Sequence, residues 1–172
     1  KTTIAIDVAR ALVNTGHSKG YLLTTATSDW TTFDTIGGYM PGEKNSLKFE
    51  EGLFLQAISQ NKTLIIDEIN RADIDKAFGQ LFTVLSGQGK APQSLPFKVN
   101  GKQIKIKFDE DQNENSYDHK EAEYTIGNKW RIIATMNSYD KNSLFEMSFA
   151  FSRRWKQVFV DVPNEDQMRK LI

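Results

Sequence analysis

Residues 63–72, Thr-Leu-Ile-Ile-Asp-Glu-Ile-Asn-Arg-Ala, decide the fold of this chain. The apolar part of this stretch is too short for a helix, because two carboxylates and a polar turn follow it at once. A short run of branched apolar side chains is typical of a strand buried on both faces, as in a parallel sheet. Asp67 and Glu68 then lie at the carboxyl end of the strand, where open α/β sheets bind ligands. Alternatively, the two acids only cap the helix that follows.

Length and composition indicate one globular domain. The chain has 172 residues, of which 39% are hydrophobic and 26% are charged, and its formal net charge is zero. A balanced charge gives no support to a protein that coats nucleic acid or binds a membrane surface. The lack of cysteine excludes disulfides and thiolate metal ligands, and it is compatible with the cytoplasmic location that we expect. No apolar segment approaches the roughly 20 residues of a membrane span, so we expect no membrane partner.

Hydrophobic periodicity predicts alternating helices and strands. The predicted helices cover residues 1–16, 51–59, 73–86 and 144–154, and a further helix begins at 164. The predicted strands cover residues 21–26, 63–67, 130–137 and 158–162. A glycine-rich segment at 37–42 is predicted to be a loop with little regular structure, either a partner contact or a simple connection. The alternating order implies a parallel sheet with crossover helices.

Two helices have clear apolar faces and ends. In the first, an apolar stripe of Ile4, Val8 and Leu12, widened by Ala5 and Ala9, predicts the buried face. Gly16 is a suitable residue to end that helix. After the central strand, Asp73 is a good N-cap for a strongly apolar helix.

Residues 88–129 interrupt the alternation. A β-hairpin is predicted at 97–108, because its Asn100-Gly101 pair suits the positive backbone angles of a tight turn. The acidic segment 109–115 that follows has almost no apolar residues and is predicted to be a mobile loop. The outward-facing side chains of the hairpin are Lys98, Lys105 and Lys107. They form either a solvated face or a contact with a partner such as nucleic acid.

Polar residues occur at matching places along the predicted elements. Lys1-Thr2 opens a helix, Asp67-Glu68 and Asn137 each end a strand, and Arg153-Arg154 precede the last strand. These positions predict that the polar groups meet at one edge of the parallel sheet. Phosphoryl transfer needs such a set: a lysine for the phosphates, a hydroxyl and a carboxylate for Mg²⁺, a second carboxylate for water, and a further cation.

In these motifs the chain resembles the AAA+ P-loop ATPases, in particular the dynein-related branch that includes MoxR-like and McrB-like proteins. Lys1-Thr2 resembles the end of the Walker A loop, and residues 64–68 resemble Walker B. Residues 134–138 resemble the sensor 1 segment, and residues 148–155 resemble the end of the arginine-finger helix. The hairpin at 97–108 lies where many members of this branch carry one.

The resemblance implies a P-loop NTPase-like fold, a parallel sheet with helices on both faces in three layers. The α/β core would cover residues 1–163, with a hairpin and acidic-loop insertion at about 92–129, and residues 164–172 would begin a helical lid. The first strand and the glycine-rich part of Walker A do not occur in this sequence. Because that loop supplies most backbone amides around the phosphates, we expect these 172 residues alone to bind nucleotide poorly and not to hydrolyse it.

The resemblance also implies the ligands. Lys1, Thr2 and Thr3 would bind the phosphates of ATP or GTP, and Thr2 and Asp67 would hold Mg²⁺. Glu68 would activate the attacking water.

Three more residues would complete the catalytic set. Asn137 would position the attacking water or sense the γ-phosphate, while Arg153 or Arg154 would reach the site of a neighbouring subunit. Activity would then need an oligomer, which we expect to be a ring hexamer of this chain. The two arginines cannot be distinguished by sequence, since Arg153 follows Ser152 and Arg154 precedes Trp155, as the family pattern allows in either case.

Four functions remain open at this point. The first is an ATP-driven motor that remodels a protein or DNA bound through domains outside this chain. The second is a GTP-hydrolysing, McrB-like subunit of a restriction system for modified DNA. The third is an oligomeric scaffold without hydrolysis, and the fourth is a nucleic-acid-binding module that uses the hairpin lysines. Retention of Asp67, Glu68, Asn137 and the two arginines argues against a scaffold.

Overall fold

The computed structural model describes residues 1–42, 46–86, 91–137 and 148–161. Its helices are α1 (Thr2–Asn14), α2 (Thr32–Thr35), α3 (Leu53–Ser59), α4 (Ile74–Phe78), α5 (Phe82–Leu85) and α6 (Phe149–Ser152). Its strands are β1 (Tyr21–Thr25), β2 (Gly37–Pro41), β3 (Leu47–Glu51), β4 (Thr63–Asp67), β5 (Gln93–Val99), β6 (Lys102–Asp109), β7 (Ser116–Asp118), β8 (Glu123–Gly127) and β9 (Ile132–Ala134). Short 3-10 turns cover Ile69–Arg71 and Gly79–Leu81.

The core is a parallel sheet in the order β1-β4-β9, which confirms the predicted α/β fold. The central strand β4 is buried on both faces, as its sequence predicts. Ile65 packs against α1 on one face, while Leu64 and Ile66 join the larger core formed with α3 and α4 on the other. Alternate side chains of a strand point to opposite faces, so β4 lies between two layers of helices.

The buried face of α1 differs from the prediction. Ile4 and Val8 are 48% and 46% exposed, whereas Ala5 and Ala9 are buried against Ile65. The prediction is wrong for Ile4 and Val8 and is confirmed for Ala5 and Ala9. The small alanines let the helix backbone approach the sheet closely, and the larger residues beside them point away. The predicted end is confirmed, since Gly16 has a φ of +69° and its N–H bonds the Val13 carbonyl at 3.0 Å.

The glycine-rich segment 37–42 is also not the irregular loop predicted. Its residues form β2, which pairs with β3 in an antiparallel ribbon. Gly37 has a φ of +115°, and a Cβ at this position would lie 2.0 Å from the Glu50 carbonyl oxygen. Glycine is therefore required by the close approach of the two strands rather than by an irregular loop.

The predicted N-cap of α4 is confirmed, because the Lys76 amide donates to Asp73 Oδ1 at 3.1 Å. The single helix predicted beyond it is interrupted by the 3-10 turn Gly79–Leu81, which separates α4 from α5. Glycine inside a helix costs about 1 kcal/mol relative to alanine, which favours a break at Gly79. Phe78 and Leu81 are nevertheless both buried in the same core.

The insertion is larger than the predicted hairpin. Strands β5 and β6 pair around Asn100 and Gly101, whose φ values of 50° and 78° confirm the predicted tight turn. Two unpredicted strands, β7 and β8, complete a sheet in the order β5-β6-β8-β7, in which β6 and β8 are parallel. We refer to this four-stranded sheet as the inserted sheet.

The acidic segment forms a loop between β6 and β7, as predicted, and its end is held by a buried asparagine. Asn115 accepts a hydrogen bond from the Gly127 amide at 2.9 Å through its side chain. Its own amide donates to Asn61 Oδ1 at 3.1 Å. These two bonds fasten the loop to β8 and to Asn61, the second residue after α3.

The carboxyl-terminal part of the prediction is met only partly. The strand predicted at 130–137 is shorter, since β9 covers Ile132–Ala134. Residues 158–161 form no strand, and Val158 and Phe159 are 79% and 85% exposed. A strand exists by pairing, and no described strand pairs with this segment. Three parts of the prediction lie outside the described residues. They are Val162, the helix predicted from 164, and residues 144–147 of the helix predicted at 144–154.

Within the described segments, no helix is both long and apolar enough to cross a membrane.

Candidate active site

The first helix and the central strand meet at a hydroxyl and a carboxylate. Thr2 Oγ1 donates a hydrogen bond to Asp67 Oδ1 at 2.7 Å. Thr2 is the first residue of α1 and Asp67 is the last residue of β4, so both positions follow from where these elements end. Thr3, one residue further into the helix, is exposed. The structure therefore brings together the two residues predicted to hold a metal.

Thr135, which the sequence analysis missed, lies at the centre of this site. Its side chain is 8% exposed. Its hydroxyl donates to Asp67 Oδ1 and accepts a hydrogen bond from the Glu68 amide, the second at 3.2 Å. Ala134, the preceding residue, is the register partner of Ile66 in β4. A threonine directly after β9 is the sequence signal for this position. The signal can be interpreted only once the register between β4 and β9 is known.

Lys1 contacts the segment that follows β9. Its Nζ donates to the Met136 carbonyl at 2.8 Å, and the lysine side chain is exposed. Asn137, the next residue, is exposed as well. The predicted phosphate-binding lysine and the predicted water-positioning asparagine are thus neighbours at the same edge of the sheet.

Glu68 has an unusual backbone conformation and a cationic neighbour. Its φ and ψ are 53° and 46°, in the left-handed region that few residues other than glycine adopt. Its Oε2 lies 2.6 Å from Arg71 Nε, with the glutamate side chain 35% exposed. The left-handed turn sends the chain away from β4 immediately after Asp67, which separates the two carboxylates into different environments.

The two predicted arginines have different surroundings. Arg154 Nε donates to the Phe82 carbonyl at 2.8 Å, and its guanidinium lies 5.0 Å from the centre of the Phe82 ring. Its Nη1 also donates to the Ala150 carbonyl. Arg153, by contrast, is exposed. The contacts of Arg154 are with α5 and α6, so it is held by its own chain rather than brought to the carboxylates.

The donors present fit Mg²⁺. Thr2 and Asp67 offer hard oxygen ligands, and Mg²⁺ is typically held by one or two protein groups together with waters and phosphate oxygens. The described residues contain no group of three or more histidine, cysteine, aspartate or glutamate side chains that could hold a metal. A site with few protein ligands is therefore what this edge of the sheet can provide.

Two open clefts lie away from this site. One, of about 680 Å³, lies between the β2–β3 ribbon and the inserted sheet and contains Glu51, Tyr117 and Tyr124. The other, of about 880 Å³, lies near the ends of the ribbon and of the β5–β6 hairpin. Glu51 accepts a hydrogen bond from the Tyr124 hydroxyl at 2.6 Å, and burial raises the pKa of that hydroxyl. The clefts hold none of the residues predicted for phosphoryl transfer.

Comparisons with known proteins point to one family. A family model described as the AAA domain (dynein-related subfamily) matches residues 1–155. None of the curated proteins matches the chain. A crystal structure of a candidate ATPase from Cytophaga hutchinsonii ATCC 33406 is similar, at 12% sequence identity and a TM-score of 0.48. That similarity covers 88% of this chain and 36% of the other, so this chain spans about a third of that protein.

Proposed function

The chain belongs to the AAA domain family, dynein-related subfamily, and on that premise we propose that it is the nucleotide-hydrolysing core of a Mg²⁺-dependent ATPase that remodels a macromolecular partner. One observation carries the proposal: Thr2 and Thr135 both donate hydrogen bonds to Asp67, next to Glu68. Capping the following helix does not explain this arrangement, because the cap of α4 is Asp73.

The amino-terminal end of α1 and Lys1 supply the positive charge for phosphate binding. The first amides of a helix have no partner within it and attract anions. In this chain Lys1 precedes the helix, and its ammonium group donates to the Met136 carbonyl. A phosphate is a stronger acceptor for an ammonium than a carbonyl is, so we expect Lys1 to exchange this contact for the nucleotide.

Thr2 and Asp67 are the residues that would hold Mg²⁺. Bound there, the ion would neutralise phosphate charge as the bond to the γ-phosphate breaks. Asp67 contributes a carboxylate whose Oδ1 is oriented by the hydroxyls of Thr2 and Thr135. Because these donors belong to the protein itself, they would lower the cost of organising the site for the ion.

Glu68 is the general base in this proposal. Its carboxylate would accept a proton from the attacking water, and Asn137 would help to position that water. In the structure the same carboxylate pairs with Arg71 at 2.6 Å. The pair is exposed in part, and such pairs are worth at most about 1 kcal/mol. Glu68 can therefore leave Arg71 when a nucleotide and its water bind.

Arg153 is the arginine that we assign to a neighbouring subunit's site. Arg154 is occupied by the carbonyls of Phe82 and Ala150 and by the Phe82 ring, whereas Arg153 is exposed. A cation supplied by a neighbour requires an oligomer, and the family is commonly oligomeric. A ring of six copies is the assembly that we propose.

The alternatives are less well supported by the described residues. A nucleic-acid-binding module would use the hairpin lysines Lys98, Lys105 and Lys107. Lys98 is exposed, but Lys105 is half-buried and Lys107 pairs with Glu123 at 2.8 Å. A scaffold without hydrolysis would not require a carboxylate at both Asp67 and Glu68. GTP in place of ATP, the protein or DNA partner, and the cytoplasmic location stay predictions.

Phosphate release by the natural full-length protein tests the proposal. We expect release from ATP that requires Mg²⁺ and stops when the metal is chelated, with GTP as the comparison substrate. The matched control is Glu123→Gln, which removes a carboxylate from the inserted sheet and should leave the rate unchanged. The absence of Mg²⁺-dependent release from both nucleotides would contradict the proposal.

Mixing two inactive variants tests the role of Arg153. Glu68→Gln loses the base but keeps the arginine, while Arg153→Ala keeps the base and loses the arginine. If the arginine acts on the neighbouring site, a mixed oligomer contains some complete sites and regains part of the activity. Arg154→Ala is the comparison, and we expect it to lower stability instead. Failure of the mixture to regain activity would place Arg153 outside the neighbour's site.

A further inference from the structure

Thr135 is the one buried hydroxyl described here that contacts both strand-end carboxylate residues. It donates to the Asp67 carboxylate and accepts from the Glu68 amide. We propose that Thr135 is a positioning residue that sets the orientation of the Asp67 carboxylate and the backbone conformation of Glu68 together. The inference rests on the proposed function, because it concerns the same two carboxylates.

Thr135 first orients the carboxylate of Asp67. Two hydroxyls, those of Thr2 and Thr135, donate to the same oxygen, Oδ1. This arrangement fixes the rotation of the carboxylate and leaves Oδ2 free of these two donors. Residues that orient a metal ligand through a hydrogen bond typically affect metal affinity or activity by 10–100-fold.

Thr135 also holds the backbone conformation of Glu68. A left-handed conformation costs a residue other than glycine of the order of 1 kcal/mol or more, and surrounding contacts must hold it. The Glu68 amide donates to Thr135 Oγ1 at 3.2 Å, and the next amide, of Ile69, donates to the Thr135 carbonyl at 3.0 Å. One residue thus binds two successive amides, which holds the turn that follows β4.

Only a hydroxyl can perform both tasks at this position. The hydroxyl donates its single proton to the Asp67 carboxylate. It accepts a hydrogen bond from the Glu68 amide with one of its lone pairs. Valine has nearly the same shape as threonine but can do neither. Serine retains the hydroxyl and lacks only the methyl group. The carbonyl of residue 135, which binds Ile69, is present in all three.

Amide hydrogen exchange separates this role from a merely structural one. In the nucleotide-free protein, we expect Thr135→Val to quicken exchange of the Glu68 amide by at least about tenfold, because its acceptor is removed. The Ile69 amide should keep its wild-type rate, since its acceptor is the backbone carbonyl. Thr135→Ser should restore slow exchange at Glu68. Equal acceleration of both amides would show that Thr135 only holds the strand, and would overturn the inference.

The Mg²⁺ requirement of hydrolysis is the second readout. We expect Thr135→Val to raise the Mg²⁺ concentration for half-maximal ATP hydrolysis by roughly 10–100-fold, and Thr135→Ser to stay within a few-fold of wild type. The matched control is Thr35→Val, which removes a different buried threonine hydroxyl, one that donates to the Ala77 carbonyl. That variant should lose stability without a change in the Mg²⁺ requirement.

The outcomes distinguish this inference from the proposed function. If the natural full-length protein releases no phosphate from ATP or GTP with Mg²⁺, the proposed function fails, and the exchange measurement alone decides the role of Thr135. If Glu68→Gln is inactive while Thr135→Val keeps the wild-type Mg²⁺ requirement or slow Glu68 exchange, the proposed function stands and the positioning role is overturned.

Discussion

Two ion pairs of similar length lie in two regions of the molecule. At the edge of the core sheet, Glu68 and Arg71 are 2.6 Å apart, and in the inserted sheet, Lys107 and Glu123 are 2.8 Å apart. The second pair joins neighbouring parallel strands, β6 and β8. The first pair lies in a left-handed turn at the end of a strand, beside Asp67. The chemistry of the partners is alike, but their surroundings differ.

This difference in surroundings indicates which carboxylates could bind a metal ion. Lys107 and Glu123 form an ion pair, and the hydrogen bond that the Lys107 ammonium donates to Glu123 raises the pKa of that ammonium. At the core edge, Asp67 receives hydrogen bonds from two neutral hydroxyls rather than from a cation. A carboxylate held in this way keeps its charge uncompensated, as a metal ligand requires. We therefore expect substitutions at the core edge to affect activity, and substitutions in the inserted sheet to affect stability.

The largest expected effect is at Asp67. Asp67→Asn removes the negative charge but keeps the size of the side chain, so we expect ATP hydrolysis to fall by more than about 100-fold with little change in unfolding. The matched variant Glu123→Gln makes the same change in the inserted sheet and should leave hydrolysis unchanged. Initial rates of phosphate release at saturating nucleotide measure both. Equal rates for the two variants would contradict the expectation that only the core edge takes part in hydrolysis.

A smaller effect, on stability, is expected at Asn115. Asn115→Ala leaves the buried Gly127 amide without its acceptor, which typically costs about 1–3 kcal/mol. The free energy of unfolding from urea titration should fall by this amount, while hydrolysis per folded molecule stays the same. A loss of activity without a loss of stability would mean that the inserted sheet takes part in the chemistry.

The smallest effect is expected at Lys107. Its pair with Glu123 is partly exposed, so Lys107→Gln should lower the free energy of unfolding by at most about 1 kcal/mol. Because the folded pKa of Lys107 is raised from 10.5, the stabilisation is complete below the unfolded pKa and is lost as pH rises through the folded pKa. The difference between wild type and variant should thus shrink in strongly alkaline solution. A difference that grows there would contradict this assignment.

Short stretches of sequence predicted those elements that depend only on residues adjacent along the chain. The buried strand β4, the turn at Asn100 and Gly101, and the cap at Asp73 each follow from a few consecutive side chains. The β2–β3 ribbon could not be predicted in this way, because Gly37 meets its partner only through the fold. The choice of Ala5 over Ile4 as a buried residue likewise depends on how closely α1 approaches the sheet.

The sequence pointed to most residues of the candidate site, but not to Thr135 or to the contacts between them. Family motifs identify Thr2, Asp67 and Glu68, and the structure joins the first two directly. Thr135 could not be identified, because its role depends on the register between β4 and β9. Sequence motifs could not separate Arg153 from Arg154 either, since the difference lies in the contact of Arg154 with Phe82.

Glu68 is the residue that we propose to activate water for nucleotide hydrolysis, and the variant Glu68→Gln tests this role. The variant keeps the size of the side chain and loses its basicity, a change that typically costs 10²–10⁴-fold in rate. Binding of a fluorescent ATP analogue with Mg²⁺ and release of phosphate should be measured on the same natural full-length protein. We expect binding within a few-fold of wild type and hydrolysis reduced by at least about 100-fold. Hydrolysis at the wild-type rate would contradict it.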